Sequence, residues 1–446
     1  MGMLDKENVY LLGIGGIGMS ALARYFATLG RSVAGYDRSP SPLCRRLEQE
    51  GMHIHYQADP ALIPRSFTPE NTLVIYTPAL DPEHSEILAL REGGFSLFKR
   101  AAVLGAISAL HRCLAIAGTH GKTSTSTLLA HLLRHSGQPA LAFLGGLSTN
   151  YQSNFWGQVN AEWMVVEADE FDRSFRHLAV EAAVVTSMDP DHLDIYGEAR
   201  ALEESFRHFA QAAQSAVVYQ ESLTALPGKA YGWQPSSSYR AENLRVVEHQ
   251  YRFDYVSPRG RIEDLICTMP GKHNVENAVA ALALAEYAGL NVDQIRSGME
   301  SFRGVKRRFE YHINTNHTVY IDDYAHHPRE IEALAGAIAE LYPQKRKLVI
   351  FQPHLYSRTR DFQTEFGRAL SLFDQVILLD IYPARERPIA GISSKNILDA
   401  LTVPAQILSR EEALNQIKQS KPELLISAGA GDIDQMVQSI KMALLQ

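Results

Sequence analysis

Short apolar runs alternate with amphipathic stretches along the first hundred residues. The run VYLLGIG (9–15) is short and apolar, which is typical of a buried parallel strand. The next stretch has apolar residues at helical spacing and stops at Gly30; they are Leu22, Tyr25, Phe26 and Leu29. Two more strands are predicted at 31–37 and 71–80. This alternation of strand and helix predicts a parallel, doubly wound sheet.

The same pattern restarts near residue 113. Strands are predicted at 113–118, 162–170 and 181–190, with a leucine-faced helix at 122–136. The later two strands each run into an acidic turn. The segment 228–268 is more polar and irregular, and it predicts only short strands or loops.

A third restart comes near residue 308. Strands are predicted at 347–354, 375–384 and 423–431, and helices at 329–341 and 360–373. The chain has no short-period repeat and no low-complexity tract. We therefore predict three successive doubly wound α/β domains, over residues 1–108, 109–307 and 308–446.

Composition excludes several classes of protein. The 446 residues are 46% apolar and carry a formal net charge of −7 without a long basic run, so no nucleic-acid partner is expected. Three cysteines lie far apart, which argues against a disulfide framework and favours the reducing cytoplasm. Neither a signal segment nor an apolar run long enough to span a membrane is visible, so no membrane association is expected.

The first glycine-rich motif is GIGGIG at 13–18, between a predicted strand and a predicted helix. Its residues Gly15, Gly16, Ile17 and Gly18 would bring backbone N–H groups and a helix N-terminus to a diphosphate. Asp37 follows at the distance where an acidic residue often meets a ribose hydroxyl. Taken alone, the motif favours NAD or FAD; a tight turn without a ligand is the alternative.

The second motif is GTHGKT at 118–123, again between strand and helix. It predicts a phosphate-binding loop in which Lys122 holds the β- and γ-phosphates and Thr123 ligates Mg²⁺. The other candidate nucleotide contacts in this loop are Gly118, Thr119, His120, Gly121 and Ser124. The loop departs from the strict pattern, because Ile116 stands where the first glycine is expected.

Acidic residues follow two predicted strands of the central block. Glu167 directly ends one strand and is the best candidate for Mg²⁺, whereas Asp169, Glu170 and Asp172 taken singly fit a solvated turn better. His192, in DPDHLD, is a candidate metal ligand or phosphate contact.

Further candidates lie later in the chain. His273, Asn274 and Asn277 open an alanine-rich helix, where they suit either an adenine edge or simple helix capping. The third block holds cations, histidines and acids that suit closure over a reacting phosphate; they are Arg307, Arg308, Asp323, His326, His354 and Arg358. Arg358 and Arg360 are candidates to clamp a carboxylate. A zinc site is disfavoured because no suitable histidine or cysteine spacing is present.

Together these stretches resemble the Mur ligases, the ATP-dependent amide-forming enzymes of peptidoglycan precursor synthesis. The motifs that carry the resemblance occur in the family's order along almost the whole chain: GIGGIGMSALA (13–23), GTHGKTSTS (118–126), VEADEFDRSF (166–175), DPDHLD (189–194), GKHNVENAVAA (271–281), GVKRRFE (304–310), DDYAHHP (322–328), FQPHLYSRTRD (351–361), LLDIYPA (378–384) and GAGDI (429–433).

The resemblance implies a Rossmann-like N-terminal domain, a P-loop central domain and a Rossmann-like C-terminal domain. It also replaces the dinucleotide at GIGGIG with a UDP-sugar diphosphate, with Asp37 and Thr77 at the same site. It implies ATP on Lys122 and Thr123, with Mg²⁺ near Thr123, Glu167 and His192. The remaining nucleotide contacts that it implies are His273, Asn274, Asn277, Asp323 and either Arg307 or Arg308.

Within the family, the motifs are most similar to the branch that joins L-alanine to UDP-N-acetylmuramate. His326, His354 and Arg358 match the region that receives the amino acid. Two departures stand out: Leu355 replaces a frequent basic residue, and residues 193–227 lack the lysine that some sister ligases carboxylate. The resemblance implies a cytoplasmic enzyme that is a monomer or a weak homodimer.

Three alternatives remain open from the sequence. One is the recycling branch of the family, which adds a ready-made tripeptide to the same UDP-sugar. Another is an NAD-dependent oxidoreductase built on GIGGIG and Asp37, although GTHGKT argues against it. The last is a non-catalytic, ATP-sensing protein, although Lys122, Thr123, Glu167 and His192 are all intact.

Overall fold

The computed structural model describes residues 2–158, 160–189, 199–223, 226–384 and 386–446, with the side chains of 171–173 and 199 left undescribed. Within these residues, no helix combines the length and the apolar character needed to cross a membrane. Three β-sheets follow one another along the chain, each flanked by helices.

The first sheet has five parallel strands in the order β3-β2-β1-β4-β5. Its strands are β1 (Asn8–Leu12), β2 (Ser32–Tyr36), β3 (His53–His55), β4 (Thr72–Tyr76) and β5 (Leu97–Lys99). Strand β1 lies between β2 and β4, so the chain crosses to opposite sides of it. The loop after β1 is therefore at the topological switch point, where doubly wound sheets bind ligands.

The second sheet has ten strands in the order β15-β14-β13-β12-β11-β10-β6-β9-β7-β8. Its strands are β6 (Arg112–Ala117), β7 (Ala140–Ser148), β8 (Ser153–Trp156), β9 (Trp163–Glu167), β10 (Ala182–Val185), β11 (Ala216–Gln220), β12 (Lys229–Gly232), β13 (Tyr239–Val247), β14 (Gln250–Ser257) and β15 (Gly260–Cys267). Strand β6 is parallel to both neighbours, β9 and β10. The carboxyl ends of these three strands therefore meet at one edge.

The third sheet has six strands in the order β16-β17-β21-β18-β19-β20. Its strands are β16 (Glu310–Asn314), β17 (Val319–Asp323), β18 (Lys347–Phe351), β19 (Gln375–Leu378), β20 (Ala405–Ile407) and β21 (Leu424–Ala428). Only the pair of β16 and β17 is antiparallel among the pairings described.

The α-helices of the described residues connect these strands. They are α1 (Ile17–Thr28), α2 (Pro42–Gln49), α3 (Ser85–Glu92), α4 (Arg100–Ser108), α5 (Lys122–His135), α6 (Ala199–Ala212), α7 (Lys272–Tyr287), α8 (Val292–Ser301), α9 (Pro328–Leu341), α10 (Tyr356–Asp361), α11 (Gln363–Leu370), α12 (Ser394–Leu398), α13 (Arg410–Ser420) and α14 (Val437–Leu445). Short 3₁₀ helices span Met3–Asp5, Pro60–Leu62, Phe171–His177 and Asp432–Met436.

By contact, the chain divides into two compact units. The first comprises Met1–Glu242, Asp254–Leu265 and Glu276–Phe302, and the second comprises Asn243–Phe253, Ile266–Val275 and Arg303–Gln446. In the first unit, one hydrophobic core extends from the first sheet into the second. Tyr25 of α1 packs there, with ring centroids 5.7 Å from Phe143 of β7 and 6.1 Å from Phe155 of β8. This shared core fixes α1 against the central sheet.

The predicted succession of doubly wound α/β sheets is confirmed, and the domain limits at 108 and 308 stay a prediction. Two local predictions need correction. The segment 228–268 forms strands, as one of its two predicted alternatives had it, but β13 to β15 are eight or nine residues long and only β12 is short. The single helix predicted over 360–373 is interrupted at Phe362, whose backbone is non-helical (φ −122°) and whose ring packs on His327.

Candidate active site

The first glycine turn follows β1 at the switch point of the first sheet. Gly13 adopts a left-handed φ of 85°, and the methyl group of Thr77 lies where a side chain at this position would project. Helix α1 starts at Ile17 behind Gly16, which has no side chain to cap it. Its first N–H groups are therefore available to an anion, as a diphosphate site requires.

Asp37 ends β2 beside this turn. Its Oδ2 accepts the N–H of Gly15 at 2.8 Å, and its Oδ1 accepts the N–H of Ser39 at 3.3 Å. The carboxylate thus stabilises the turn and takes up the Gly15 N–H. A ribose contact from Asp37 stays a prediction.

The second glycine turn joins β6 to α5. Gly118 (φ 135°) lies so close to Thr186, after β10, that a side chain there would collide with the threonine hydroxyl. Gly121 (φ 82°) caps α5 in the left-handed conformation, and a side chain there would collide with Asn277. These glycines allow the loop to pack closely against Thr186 on one side and against Asn277 on the other.

Other predicted residues of this loop have described contacts. The Thr119 hydroxyl donates to the Asp189 carbonyl at 3.0 Å, and the His120 N–H donates to the Ser187 hydroxyl at 2.8 Å. Ser124 is buried in the first turn of α5. The loop is therefore held from the β10 side.

Lys122 lies in the first turn of α5, where its side chain folds back over the loop. Its Nζ donates to the Gly118 carbonyl at 2.6 Å and to the Glu170 carboxylate at 2.8 and 2.9 Å. Burial alone would lower the pKa of Lys122, but the charges of Glu170 and Glu167 outweigh it and raise the pKa. The amine is therefore fully cationic, as a phosphate contact requires.

Glu170 makes a contact with the predicted phosphate-binding loop that the sequence did not predict. The sequence favoured a solvated turn, whereas the structure buries Glu170 almost completely and pairs it with Lys122. The available signal was its place three residues after Glu167, in a turn facing the phosphate loop. A buried carboxylate needs compensating contacts, and the ion pair with the loop lysine is one of them.

Glu167 ends β9 next to β6, with Ile116 as its registered neighbour. Its carboxylate accepts the Gly145 N–H at 3.0 Å and interacts with the hydroxyl of Thr123. Burial raises the pKa of Glu167, while Lys122 and Thr123 act in the opposite direction. Two predicted metal ligands thus lie together; the third, His192, lies outside the described residues.

The helix α7 carries the three predicted adenine contacts near its start. Asn274 is buried, and its amide donates to the Pro270 carbonyl at 2.8 Å, which secures the helix entry. His273 is the preceding residue and is exposed. Because the Asn274 amide is the donor in this bond, the bond does not cap a free backbone N–H of the helix. Both the capping role and an adenine contact from these residues stay predictions.

In the second unit, the two candidate arginines have different roles. Arg307 is held internally, with its Nε 3.0 Å from Asp322 and its Nη2 2.5 Å from the Gly429 carbonyl. The Arg308 guanidinium lies 5.2 Å from the ring centroid of Tyr324. We expect Arg308, rather than Arg307, to be the arginine available to a phosphate.

Asp323 organises the loop after β17. Its two carboxylate oxygens each accept a backbone N–H at 2.7 Å, from Phe309 and Ala325. Burial raises the pKa of Asp323 to about 6, although the charge of Arg308 acts in the opposite direction. The nucleotide contact implied by the family resemblance stays a prediction.

His326, His354 and Arg358 are brought together. The rings of His326 and His354 lie 5.9 Å apart, and the charge of Arg358 acts on His326. The Nδ1 of His326 lies 2.8 Å from the Tyr324 carbonyl. Because a carbonyl only accepts, Nδ1 carries the proton and leaves the Nε2 lone pair available in the neutral ring. Burial lowers the pKa of His326, while the charge of Glu330 acts against this.

The contacts of Arg358 and Arg360 distinguish between these two candidates for binding a carboxylate. The Nη1 of Arg358 is buried and has no hydrogen-bond partner among the described residues. Arg360 is half exposed and pairs with Asp361 at 2.7 Å. Arg358 therefore retains a donor for a ligand. Leu355 precedes α10 with a left-handed φ of 73°, a strained conformation for a branched residue.

Family models match three successive segments of the chain. Residues 8–112 match the model described as Mur ligase family, catalytic domain, residues 116–285 match the Mur ligase middle domain, and residues 307–431 match the Mur ligase, glutamate ligase domain.

Full-length relatives agree with these matches. The chain is 46% identical over 443 residues to a UDP-N-acetylmuramate–L-alanine ligase of Christiangramia forsetii, covering 98% of each chain. It is 47% identical to the Flavobacterium johnsoniae protein of the same name, covering 100% of this chain and 99% of that one. Its structure is similar to UDP-N-acetylmuramate–alanine ligase from Thermotoga maritima, with a TM-score of 0.83, 26% identity and 98% of both chains covered. The chain belongs to the Mur ligase family.

Proposed function

We propose that this protein is an ATP-dependent ligase that joins L-alanine to the lactyl carboxylate of UDP-N-acetylmuramate. The observation that carries the proposal is the end-to-end identity of 46–47% with relatives that bear this name. The two glycine turns support it, because they supply one site for a UDP-sugar diphosphate and another for ATP. The cytoplasmic location and the monomeric or weakly dimeric state stay predictions.

The reaction must overcome the low reactivity of a carboxylate. A lactyl carboxylate oxygen attacks the γ-phosphorus of ATP, the bond to ADP breaks, and an acyl phosphate forms. The amine of alanine then attacks the acyl carbon, loses a proton to a base, and expels inorganic phosphate. Phosphoryl transfer of this kind depends mainly on positioning and charge neutralisation by the protein.

The central site supplies that neutralisation. When the nucleotide binds, we expect the Lys122 amine to leave the Glu170 carboxylate and to contact the β- and γ-phosphates instead. Thr123 and Glu167 offer the oxygen ligands that Mg²⁺ prefers, with His192 as the third predicted ligand. When bound there, Mg²⁺ would neutralise phosphate charge.

The second unit supplies groups for the amino acid. Arg358 has a buried donor suited to the alanine carboxylate, which compensates for the absence of a basic residue at Leu355. His326 is suited to accept the ammonium proton, because its lowered pKa keeps the Nε2 lone pair available at neutral pH.

Replacement of Glu167 by glutamine is expected to raise the Mg²⁺ concentration needed for half-maximal activity on the order of 10-fold. The substitution removes a charged metal ligand and keeps the side-chain volume. A titration of ADP release against Mg²⁺ measures this effect. Glu162→Gln changes an exposed residue of the same type, and its Mg²⁺ curve should match the wild type. A wild-type curve for Glu167→Gln would remove this residue from the metal site.

A pH profile of kcat/KM for alanine tests His326. Its pKa lies below the ordinary value of 6.5, so the ring is neutral above that pH and gains a proton only as the pH falls further. The acidic limb assigned to His326 should therefore lie below pH 6.5. His326→Gln should lower the rate on the order of 10²-fold and abolish that limb. The exposed His317→Gln variant is the control; an unchanged limb in His326→Gln would exclude this base.

A further inference from the structure

Gly18 lies in the first turn of α1, and the helix backbone does not account for a glycine at this position. Its φ is not in the left-handed region, so the conformation does not require glycine. A side chain at Gly18 would instead collide with the Arg100 side chain, whose Cδ and guanidinium Cζ lie 3.1 and 3.2 Å from that position. The motif therefore makes room for Arg100 directly against the start of α1.

Arg100 is the first residue of α4 and directly follows β5, the edge strand of the same sheet. Its guanidinium lies across the α1 N-terminus, where a diphosphate is expected. Within the described residues its polar contact is one bond from Nη2 to Asp169 at 3.4 Å, and the Arg100 side chain is 22% exposed. This distance is long for a charge-assisted bond, and most of the five guanidinium donors are left for another partner.

A cavity of about 110 Å³ opens at this point in the first unit. Its lining joins the first glycine turn to the end of β9 and includes Gly18, Arg100, Gly145, Glu167 and Asp169. Arg100 contributes the one cationic side chain among the lining residues, and Glu167 and Asp169 are acidic. An anion that enters between two carboxylates requires that cation.

From this juxtaposition we propose that Arg100 binds an anionic group of the UDP-sugar, either its diphosphate or its lactyl carboxylate. Both present oxygen atoms that a guanidinium binds in the same way. The helix N-terminus beside Gly18 favours the diphosphate. The predicted metal ligand Glu167 in the same lining favours the lactyl carboxylate, which is the group that reacts with ATP. This inference rests on the proposed function and extends it to a residue outside the recognised motifs.

The test is calorimetric binding, without ATP and Mg²⁺, of UDP-N-acetylmuramate, UDP-N-acetylglucosamine and UDP. Arg100→Met should lower the affinity for UDP-N-acetylmuramate at least about 10-fold. An equal loss of affinity for all three ligands would assign Arg100 to the diphosphate, which all three share. A loss confined to UDP-N-acetylmuramate, the one ligand with a lactyl group, would assign it to the carboxylate.

Two control variants separate binding from a structural role. Lys99→Met removes the neighbouring exposed charge and should leave all three affinities unchanged. Asp169→Asn breaks the ion pair but keeps Arg100, so affinity should be unchanged or higher. If Asp169→Asn weakens binding as much as Arg100→Met, the ion pair rather than the anion contact is responsible, and the inference is overturned.

The failure of the inference is distinguishable from that of the proposed function. If the wild-type protein binds UDP-N-acetylmuramate and Arg100→Met binds it equally well, only the role of Arg100 is overturned. If the wild-type protein binds none of the three ligands, the proposed function is contradicted as well. Unchanged ATP binding by Arg100→Met would confirm that the variant is folded.

Discussion

Lys122→Ala is expected to lower ADP release on the order of 10³-fold while UDP-N-acetylmuramate binding stays close to wild type. Lys122 is the fully charged amine of the phosphate loop, and its loss removes neutralisation of the transferring phosphoryl group. The proposed UDP-sugar site lies at a different glycine turn, and the substitution changes none of the residues proposed for it. Steady-state assays of ADP release and calorimetric binding of the UDP-sugar measure the two effects separately.

The buried ion pair requires a control for stability. Lys122→Ala removes the lysine of the ion pair from the buried Glu170 carboxylate, which is expected to cost about 3 kcal/mol in the free energy of unfolding. The double variant Lys122→Met with Glu170→Gln removes both charges and should recover most of that stability without recovering activity. Recovery of activity in the double variant would show that Lys122 acts through folding rather than through phosphate. Loss of UDP-sugar binding in Lys122→Ala would contradict the assignment of two separate sites.

Arg358→Ala is expected to raise the KM for L-alanine on the order of 10²-fold, with much smaller changes for ATP and the UDP-sugar. The reason is the buried Nη1, which has no partner among the described residues and suits the carboxylate of the amino acid. Initial rates at varied alanine concentration, with both other substrates saturating, measure the change.

Arg360→Ala is the matched control for this prediction. Arg360 lies on the same short helix, but it is half exposed and already paired with Asp361. Its removal should leave the alanine KM within about 2-fold of wild type, because exposed ion pairs contribute little free energy. If Arg360→Ala raises the KM and Arg358→Ala does not, the carboxylate site must be reassigned to Arg360.

Much of the fold was predictable because its signals are local. Each glycine turn sits where an apolar run meets an amphipathic helix, and both turns occur at the ends of central strands in the structure. Segment 228–268 was harder to predict, because its strands expose many charged side chains. Tyr251, Phe253 and Tyr255 are all buried at a spacing of two, and this alternation was the strand signal within the polar background.

The pairing of charges was less predictable, because it depends on contacts between segments far apart in sequence. Glu170 looked like one acid among several, and only the fold brings it to Lys122. Arg307 and Arg308 are equivalent by sequence, yet Asp322 holds the first of them. Arg100 carries no motif at all, and its position against Gly18 follows from the packing of two helices on one sheet.

The most direct test of the proposed function is ADP release with UDP-N-acetylmuramate, Mg²⁺ and ATP, comparing L-alanine, other single amino acids and the tripeptide of the recycling branch. Release should depend on L-alanine. Release with the tripeptide alone would contradict the alanine assignment while retaining the acyl-phosphate mechanism. No release with any acceptor, from protein that binds ATP, would contradict the proposal that this chain is a ligase.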